Sequence, residues 1–199
     1  GSEDITNKTI LLHAEQGLGD TIQFCRYAKH VKERGARVLL EAPKALVGLL
    51  KTLDGVDELI ERGKPLPAFD YHCPLLSLPL AFKTELETIP NAQSYLSVDH
   101  KKRKDWANKL GKTTKLRVGL VWSGNTQHKN DHNRSLTLQE LLSRLPEDYE
   151  YVSLQKEVRE EEKDILAKCG IKHFGEQLND FADTAALCDL MDIVISVDT

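Results

Sequence analysis

Apolar and polar positions alternate between two periods along the first hundred residues. Ile10, Leu11 and Leu12 make a continuous apolar run inside 9–14 that reads as a short buried strand. Ile22, Cys25, Tyr27 with Ala28, and Val31 recur near helical spacing over 21–31. Between them stands Gly17-Leu18-Gly19-Asp20, where strand must turn into helix. Arg34-Gly35 ends that helix, Val38, Leu39 and Leu40 carry a strand over 37–41, and Pro43 opens a helix that runs to Leu50. Asp54-Gly55 marks a turn before a short strand at 56–60, and Pro65 and Pro67 hold an extended loop. Residues 69–74 read as a strand, 75–82 as an apolar segment interrupted by Pro79, and 95–98 as a closing strand. Such alternation predicts a parallel sheet covered by helices on both faces, with ligands at the carboxyl ends of the strands, where the 17–20 turn lies.

The second half restarts the pattern. Residues 100–114 are polar and basic, with Trp106 and Leu110 four apart, and read as a helix linking two units. The expected organisation is a first unit over 3–99, a linking helix over 100–115 and a second unit over 116–199. Val118 to Trp122 form a buried strand that runs into Ser123-Gly124-Asn125 and a wholly polar stretch, 126–135, containing His128, Lys129, His132 and Arg134. Residues 136–145 are expected as a helix opened by Ser135 or Thr137, with Leu136, Leu138, Leu141, Leu142 and Leu145 buried. A strand at 151–154 enters Gln155-Lys156-Glu157, a charged helix over 158–169 ends at Gly170, and strands at 171–174 and 193–197 flank a helix at 184–191. The chain stops at the carboxyl end of a strand, so a longer parent protein is expected, with an unfinished second unit whose open sheet edge favours self-association.

Composition narrows the classes. The 199 residues are 40% hydrophobic and 29% charged with a formal net charge of -4, enough for a substantial core and too acidic for a general nucleic-acid binder. The basic run at 101–104 reads as a solvated helix start. Cys25, Cys73, Cys169 and Cys188 are scattered without any Cys-x-x-Cys pair, which argues for reduced, structural thiols and against zinc. No apolar stretch approaches bilayer-spanning length, so the cytoplasm is the expected compartment, and Gly1-Ser2 read as a tag remnant.

Two turns carry candidate chemistry. Gly17 and Gly19 free the backbone for unusual angles and for close approach of a ligand, while the following helix start offers amides to something anionic or hydroxylated. Asp20 with Gln23 three residues on also forms a capping box, so Asp20 reads either as a cap or as a carboxylate facing a ligand. A nicotinamide fingerprint is incomplete: Ile22 stands where the third glycine belongs, although Glu41 lies near the distance of a ribose-binding acid. In the second unit, backbone amides and hydroxyls of Ser123, Gly124 and Asn125, with Lys129 or Arg134 as the cation, suit a phosphate; the alternative is a solvated loop. His128 and His132 imitate a metal pair without a third ligand, so no metal is expected.

Taken together, EQGLGDTIQFCRYA, VGLVWSGNTQHKNDHNRS, VSLQKEVR, DFADTAAL and VISVDT resemble the glycosyltransferase domain of bacterial tetratricopeptide-repeat proteins, relatives of glycosyltransferase family nine, the lipopolysaccharide heptosyltransferases. The resemblance implies a GT-B-type α/β fold of two Rossmann-like parallel-sheet domains, the second incomplete. It implies an inverting transfer of a sugar from a nucleotide-diphosphate donor to a hydroxyl of a glycan, lipid-linked or protein acceptor, without cofactor or metal. Asp20 matches the general base, and Gly17, Leu18 and Gly19 match its acceptor-side turn. Ser123, Gly124, Asn125, Lys129 and Arg134 match the phosphate loop, Gln155 and Lys156 lie where the nucleotide binds, and Asp198 and Thr199 begin a donor-contacting turn. The family continues with a small-residue helix carrying a histidine, so a chain cut here is expected to be inactive. The alternative is a noncatalytic nucleotide-sugar-binding or protein-interaction module, with a nicotinamide oxidoreductase third.

Overall fold

The computed structural model describes residues 3–91, 94–125 and 129–198. The chain divides into two compact units, Gly1–Ser97 and Val98–Thr199.

In the first unit β1 (Thr9–His13), β2 (Arg37–Ala42), β3 (Glu58–Glu61) and β4 (Tyr71–Pro74) form a parallel sheet in the order β3-β2-β1-β4. Leu12, Val38, Leu39 and Leu40 are fully buried in it, as expected of central strands whose apolar runs face helices or loops on both sides. The expected 21–31 helix is broken. It starts earlier as α1 (Leu18–Phe24), tightens into a 3-10 turn at Cys25–Tyr27, and resumes as α2 (Ala28–Glu33). Side chains have taken the carbonyls that an unbroken helix would use. Cys25 Sγ (3.1 Å) and Tyr95 Oη (3.0 Å) donate to the Ile22 carbonyl, and Arg26 Nε (2.7 Å) donates to that of Gln23.

Tyr95 also explains why no strand forms at 95–98. It is a peg under the Arg26 guanidinium, 4.5 Å from its ring centroid, while the Ser97 amide donates to Thr52 Oγ1 at 3.0 Å. Pro43 caps α3 (Lys44–Leu50), and the 75–82 segment becomes a 3-10 turn followed by α4 (Leu78–Ala81). The crossover into β3 is pinned twice. Gly55, at φ +85°, presses against α2 where a Cβ would lie 2.4 Å from Lys29 Cα, and Asp57 receives Lys32 Nζ (2.7 Å) and the Val38 amide (2.8 Å).

The second unit repeats the plan. β5 (Arg117–Val121), β6 (Glu150–Ser153), β7 (Lys172–His173) and β8 (Ile193–Ser196) are parallel in the order β7-β6-β5-β8. The 100–115 stretch, expected to link units, supplies α5 (His100–Leu110), which is packed into this one. Its Trp106 and Leu110 join Val152, Leu154, Leu178, Ala186 and Leu187 on one face of the sheet. Gly119 points into that face, where a Cβ would meet Leu154 Cδ1 at 2.7 Å. Val118, Leu120, Trp122, Leu138, Leu166 and Ile171 fill the other face.

Helix boundaries moved for local reasons. α9 (Phe181–Cys188) begins three residues before the expected 184 because Asp180 accepts from the Ala182 (3.0 Å) and Asp183 (3.1 Å) amides, a cap overlooked in the sequence. A short α6 (Asp131–Arg134) precedes α7 (Leu138–Leu142), which is shorter than the expected 136–145 because Thr137 and Glu140 form a capping box at its start. Leu136 is left outside, 46% exposed rather than buried. The charged 158–169 segment is helical only as a 3-10 turn at Glu160–Glu162 and α8 (Lys163–Leu166). No helix among the described residues is long and apolar enough to cross a membrane.

Candidate functional site

Both sheets have one strand order, with the first strand beside the fourth, so strand order reverses next to β1 and next to β5. Ligands of open parallel sheets bind outside the carboxyl ends of the strands at that reversal. The two turns singled out in the sequence leave from there.

At the first, Gly17 is the residue that caps α1, and Asp20 is the third helical residue. Asp20 Oδ2 accepts the Gly17 amide at 3.1 Å. The expectation of Asp20 as the cap, with Gln23 reciprocating, is therefore shifted by one turn: Asp20 is itself the reciprocating acid. Gly17 has no side chain to offer and only this half of the box exists. Neither Gly17 nor Gly19 has a positive φ, against expectation. Gly17 serves close approach instead, since a Cβ there would lie 3.2 Å from Asp20 Oδ2, while Gly19 leaves open surface. Glu15 Oε1 accepts the Leu76 amide (3.1 Å) and so ties this turn to the segment after β4. The Arg62 guanidinium donates to the Ala14 carbonyl. His13 Nε2 and His72 Nδ1 meet at 3.4 Å across the β1–β4 pair.

At the second, the turn after β5 is held by side chains from far along the chain. Gln155 Oε1 accepts the Trp122 (2.8 Å) and Ser123 (2.9 Å) amides, and Gln155 Nε2 donates to Ser123 Oγ (2.9 Å) and the Glu157 carbonyl (3.0 Å). Ser135 Oγ accepts the Gly124 amide (3.0 Å) and donates to Asp131 Oδ1 (2.6 Å), whose Oδ2 is paired with Arg159 Nη2 (2.5 Å). Glu162, buried, accepts the Trp122 indole N–H (2.9 Å) and the Leu138 amide (2.7 Å), joining the two ends of the loop. Behind Gln155, Ser153 Oγ accepts its amide (3.3 Å) and meets His173 Nδ1 (3.0 Å), and burial lowers the His173 pKa. These contacts hold Glu157 and Arg159 outside the helix, which begins only at the 3-10 turn Glu160–Glu162.

The sequence-derived residues thus fall into groups. Ser123, Gly124, Gln155 and Arg134 are brought together, and Arg134 pairs with Asp198 through its backbone carbonyl (3.1 Å from Nε) and its carboxylate (3.3 Å from Nη2). The Trp122, Ser123 and Gly124 amides all point inward to Gln155 and Ser135, so the expected cradle of backbone amides is not offered by these three. Gln155 has each of its hydrogen-bonding positions filled within the protein. Asn125, Lys129 and Lys156 are exposed, and the Lys156 carbonyl backs against Gly175, where a Cβ would lie 2.2 Å away. His128 and Thr199 lie outside the described residues. Asp131, Arg159 and Glu162 had no spacing signal in the sequence, and Ser135 had only that of a helix opener, a place that Thr137 takes. Among the described residues no group of three or more His, Cys, Asp or Glu could hold a metal ion.

A protein of two parallel α/β units, each with a polar turn at its strand-order reversal, belongs to a recognisable structural class. Two solved structures share the fold. That of the glycosyl transferase family 9 from Veillonella parvula DSM 2008 is similar over 98% of this chain and 76% of its own, with a TM-score of 0.65 and 12% identity. That of E. coli ADP-heptose lps heptosyltransferase II is similar over 96% of this chain and 79% of its own, with a TM-score of 0.64 and 13% identity. No protein-family model matches the sequence, and no curated protein matches it. At these identities the likeness is one of fold.

Proposed function

We propose that the chain is the sugar-transferring part of an inverting glycosyltransferase, taking a nucleotide-diphosphate sugar as donor and a hydroxyl group as acceptor. The observation that carries this reading is the repeated strand order with a polar turn at each reversal, in a fold similar to two solved glycosyltransferases over nearly the whole chain. The acceptor hydroxyl attacks the anomeric carbon while the bond to the diphosphate breaks. Its proton passes to Asp20, and the bonding pair leaves with the diphosphate. Asp20 Oδ2 stays on the Gly17 amide, which fixes the carboxylate and leaves Oδ1 for the acceptor. In the second unit Ser123, Lys129 and Arg134 stabilise the departing charge, with Asn125, Lys156, Asp198 and Thr199 as further donor contacts and Gly124 and Gln155 shaping the turn.

The test is release of nucleoside diphosphate from UDP-, GDP- and ADP-sugars in the presence of a panel of hydroxyl acceptors. Turnover in the parent is expected to fall on the order of 10²–10⁴-fold in Asp20→Asn, as for loss of a general base. The thermal midpoint should hold, because the asparagine carbonyl still accepts from Gly17. Full turnover in Asp20→Asn removes Asp20 from the base role. A second reading, a noncatalytic module, is favoured by Asp20 already serving as a capping partner. It predicts no turnover and a substitution that changes helix stability by about 1 kcal/mol or less.

A further inference from the structure

We propose that Gln155 is a positioning residue that forces Ser123 to act as a hydrogen-bond donor toward its ligand, so that the turn after β5 selects an anionic oxygen. This rests on the reading of that turn as the diphosphate site. The orientation of the Gln155 amide is decided by its partners. Oε1 faces two backbone N–H groups, of Trp122 and Ser123, and Nε2 faces the Glu157 carbonyl. The reversed amide would set donor against donor twice and oxygen against oxygen once. Nε2 must therefore donate its remaining hydrogen to Ser123 Oγ, 2.9 Å away.

The Ser123 hydroxyl is thereby committed as an acceptor on the protein side. Among the described residues its own proton has no acceptor, although Ser123 is only 8% exposed. A buried hydroxyl whose proton is unused is satisfied by an incoming acceptor. The amides of Trp122, Ser123 and Gly124 are consumed, so that proton is the principal donor this end of the turn can present. A phosphate oxygen fits it, and its charge strengthens the bond; an ammonium group, which has no acceptor, does not.

The full-length chain is titrated calorimetrically with ADP, GDP and UDP and with the matching nucleosides. For whichever diphosphate the parent binds, Ser123→Ala is expected to weaken binding by about tenfold or more, the worth of a hydrogen bond to a charged group, with nucleoside binding unchanged. Gln155→Glu is expected to do the same. Its carboxylate still accepts the Trp122 and Ser123 amides but also accepts the Ser123 proton, turning it inward. Unchanged diphosphate affinity in Ser123→Ala overturns the inference while the diphosphate site stands. An equal loss for diphosphate and nucleoside also overturns it, since that is the mark of a collapsed turn. If Gln155→Glu does not fold, Ser123→Ala decides alone. A parent that binds none of the three diphosphates overturns the diphosphate site and this inference with it.

Discussion

Replacing Asp183 by alanine removes the buried anchor that holds α5 to α9. Its Oδ1 accepts the Trp106 indole N–H (3.1 Å) and pairs with Lys102 Nζ (2.7 Å), and its Oδ2 accepts the Asn179 amide (3.0 Å). Lys102 is one-third exposed and keeps Asp180 at 3.3 Å, so it turns to solvent at little cost. The indole of Trp106, 2% exposed, has no such escape, whereas the exposed Asn179 can give its amide to water. A buried donor left without an acceptor costs about 1–3 kcal/mol, which puts Asp183→Ala at about 1–3 kcal/mol, a sizeable share of a domain stability of roughly 5–15 kcal/mol. Asp183→Asn keeps the shape but turns an NH2 toward one of the donors, and about half that loss is expected.

The pH dependence carries a definite sign. Burial alone would raise the Asp183 pKa, but hydrogen bonds from Lys102, Trp106 and the Asn179 amide outweigh it and hold the carboxyl below its ordinary 3.8. A depressed carboxylate contributes stability that is fully present above the unfolded pKa and is lost as pH falls through the folded one. The gap between parent and Asp183→Asn should be constant above about pH 5 and close below about pH 4. Both tryptophans of the chain, Trp106 and Trp122, lie in the second unit, so urea titration followed by tryptophan emission reads that unit alone. A loss under about 1 kcal/mol in Asp183→Ala, or parent and Asp183→Asn curves that run parallel down to pH 3, would refute the anchor.

Other outcomes test the first unit. Gly55→Ala combines a φ of +85° with a Cβ 2.4 Å from Lys29 Cα, whereas Gly63, at φ +89°, has nothing within 4 Å. Gly55→Ala should cost well over about 2 kcal/mol and Gly63→Ala about 1 kcal/mol, read as loss of far-ultraviolet dichroism at unchanged tryptophan emission. Equal losses would show that the contact with α2 is immaterial. Burial pushes the Cys25 thiol up to about 12, so a thiol reagent at pH 8 should spare it in the folded chain and count all four cysteines only in denaturant. Rapid native labelling of Cys25, located by mass spectrometry, is the contrary result.

What could be read along the chain follows from local physics. Val38 to Leu40 and Val118 to Leu120 announce strands because a strand buried on both faces must be apolar throughout. The two turns could be placed at strand ends because glycine and small polar residues interrupt those runs. The break in the first helix could not be seen, since it depends on Tyr95, far along the chain from Ile22. The same reason hid the absence of a strand at 95–98, whereas the displacement of α9 was local. There the competing term was a capping carboxylate, Asp180, four positions ahead of the expected start at 184.

The amino-acid sequence by itself determined most of the strands, the alternation that makes the sheets parallel, and the two polar turns at strand ends, because period and turn residues act over a few positions. Only the tertiary structure decided the shared strand order and the use of α5 as a layer of the second unit. It alone set the direction of each polar group in the turns. Asp20 bonds back to Gly17 within its own turn. Gln155 reaches Ser123 from the end of the neighbouring strand, and Arg159 reaches Asp131 across the loop. A hydrogen bond is satisfied by whatever partner the fold brings within about 3 Å, and that partner is set by packing rather than by spacing along the chain.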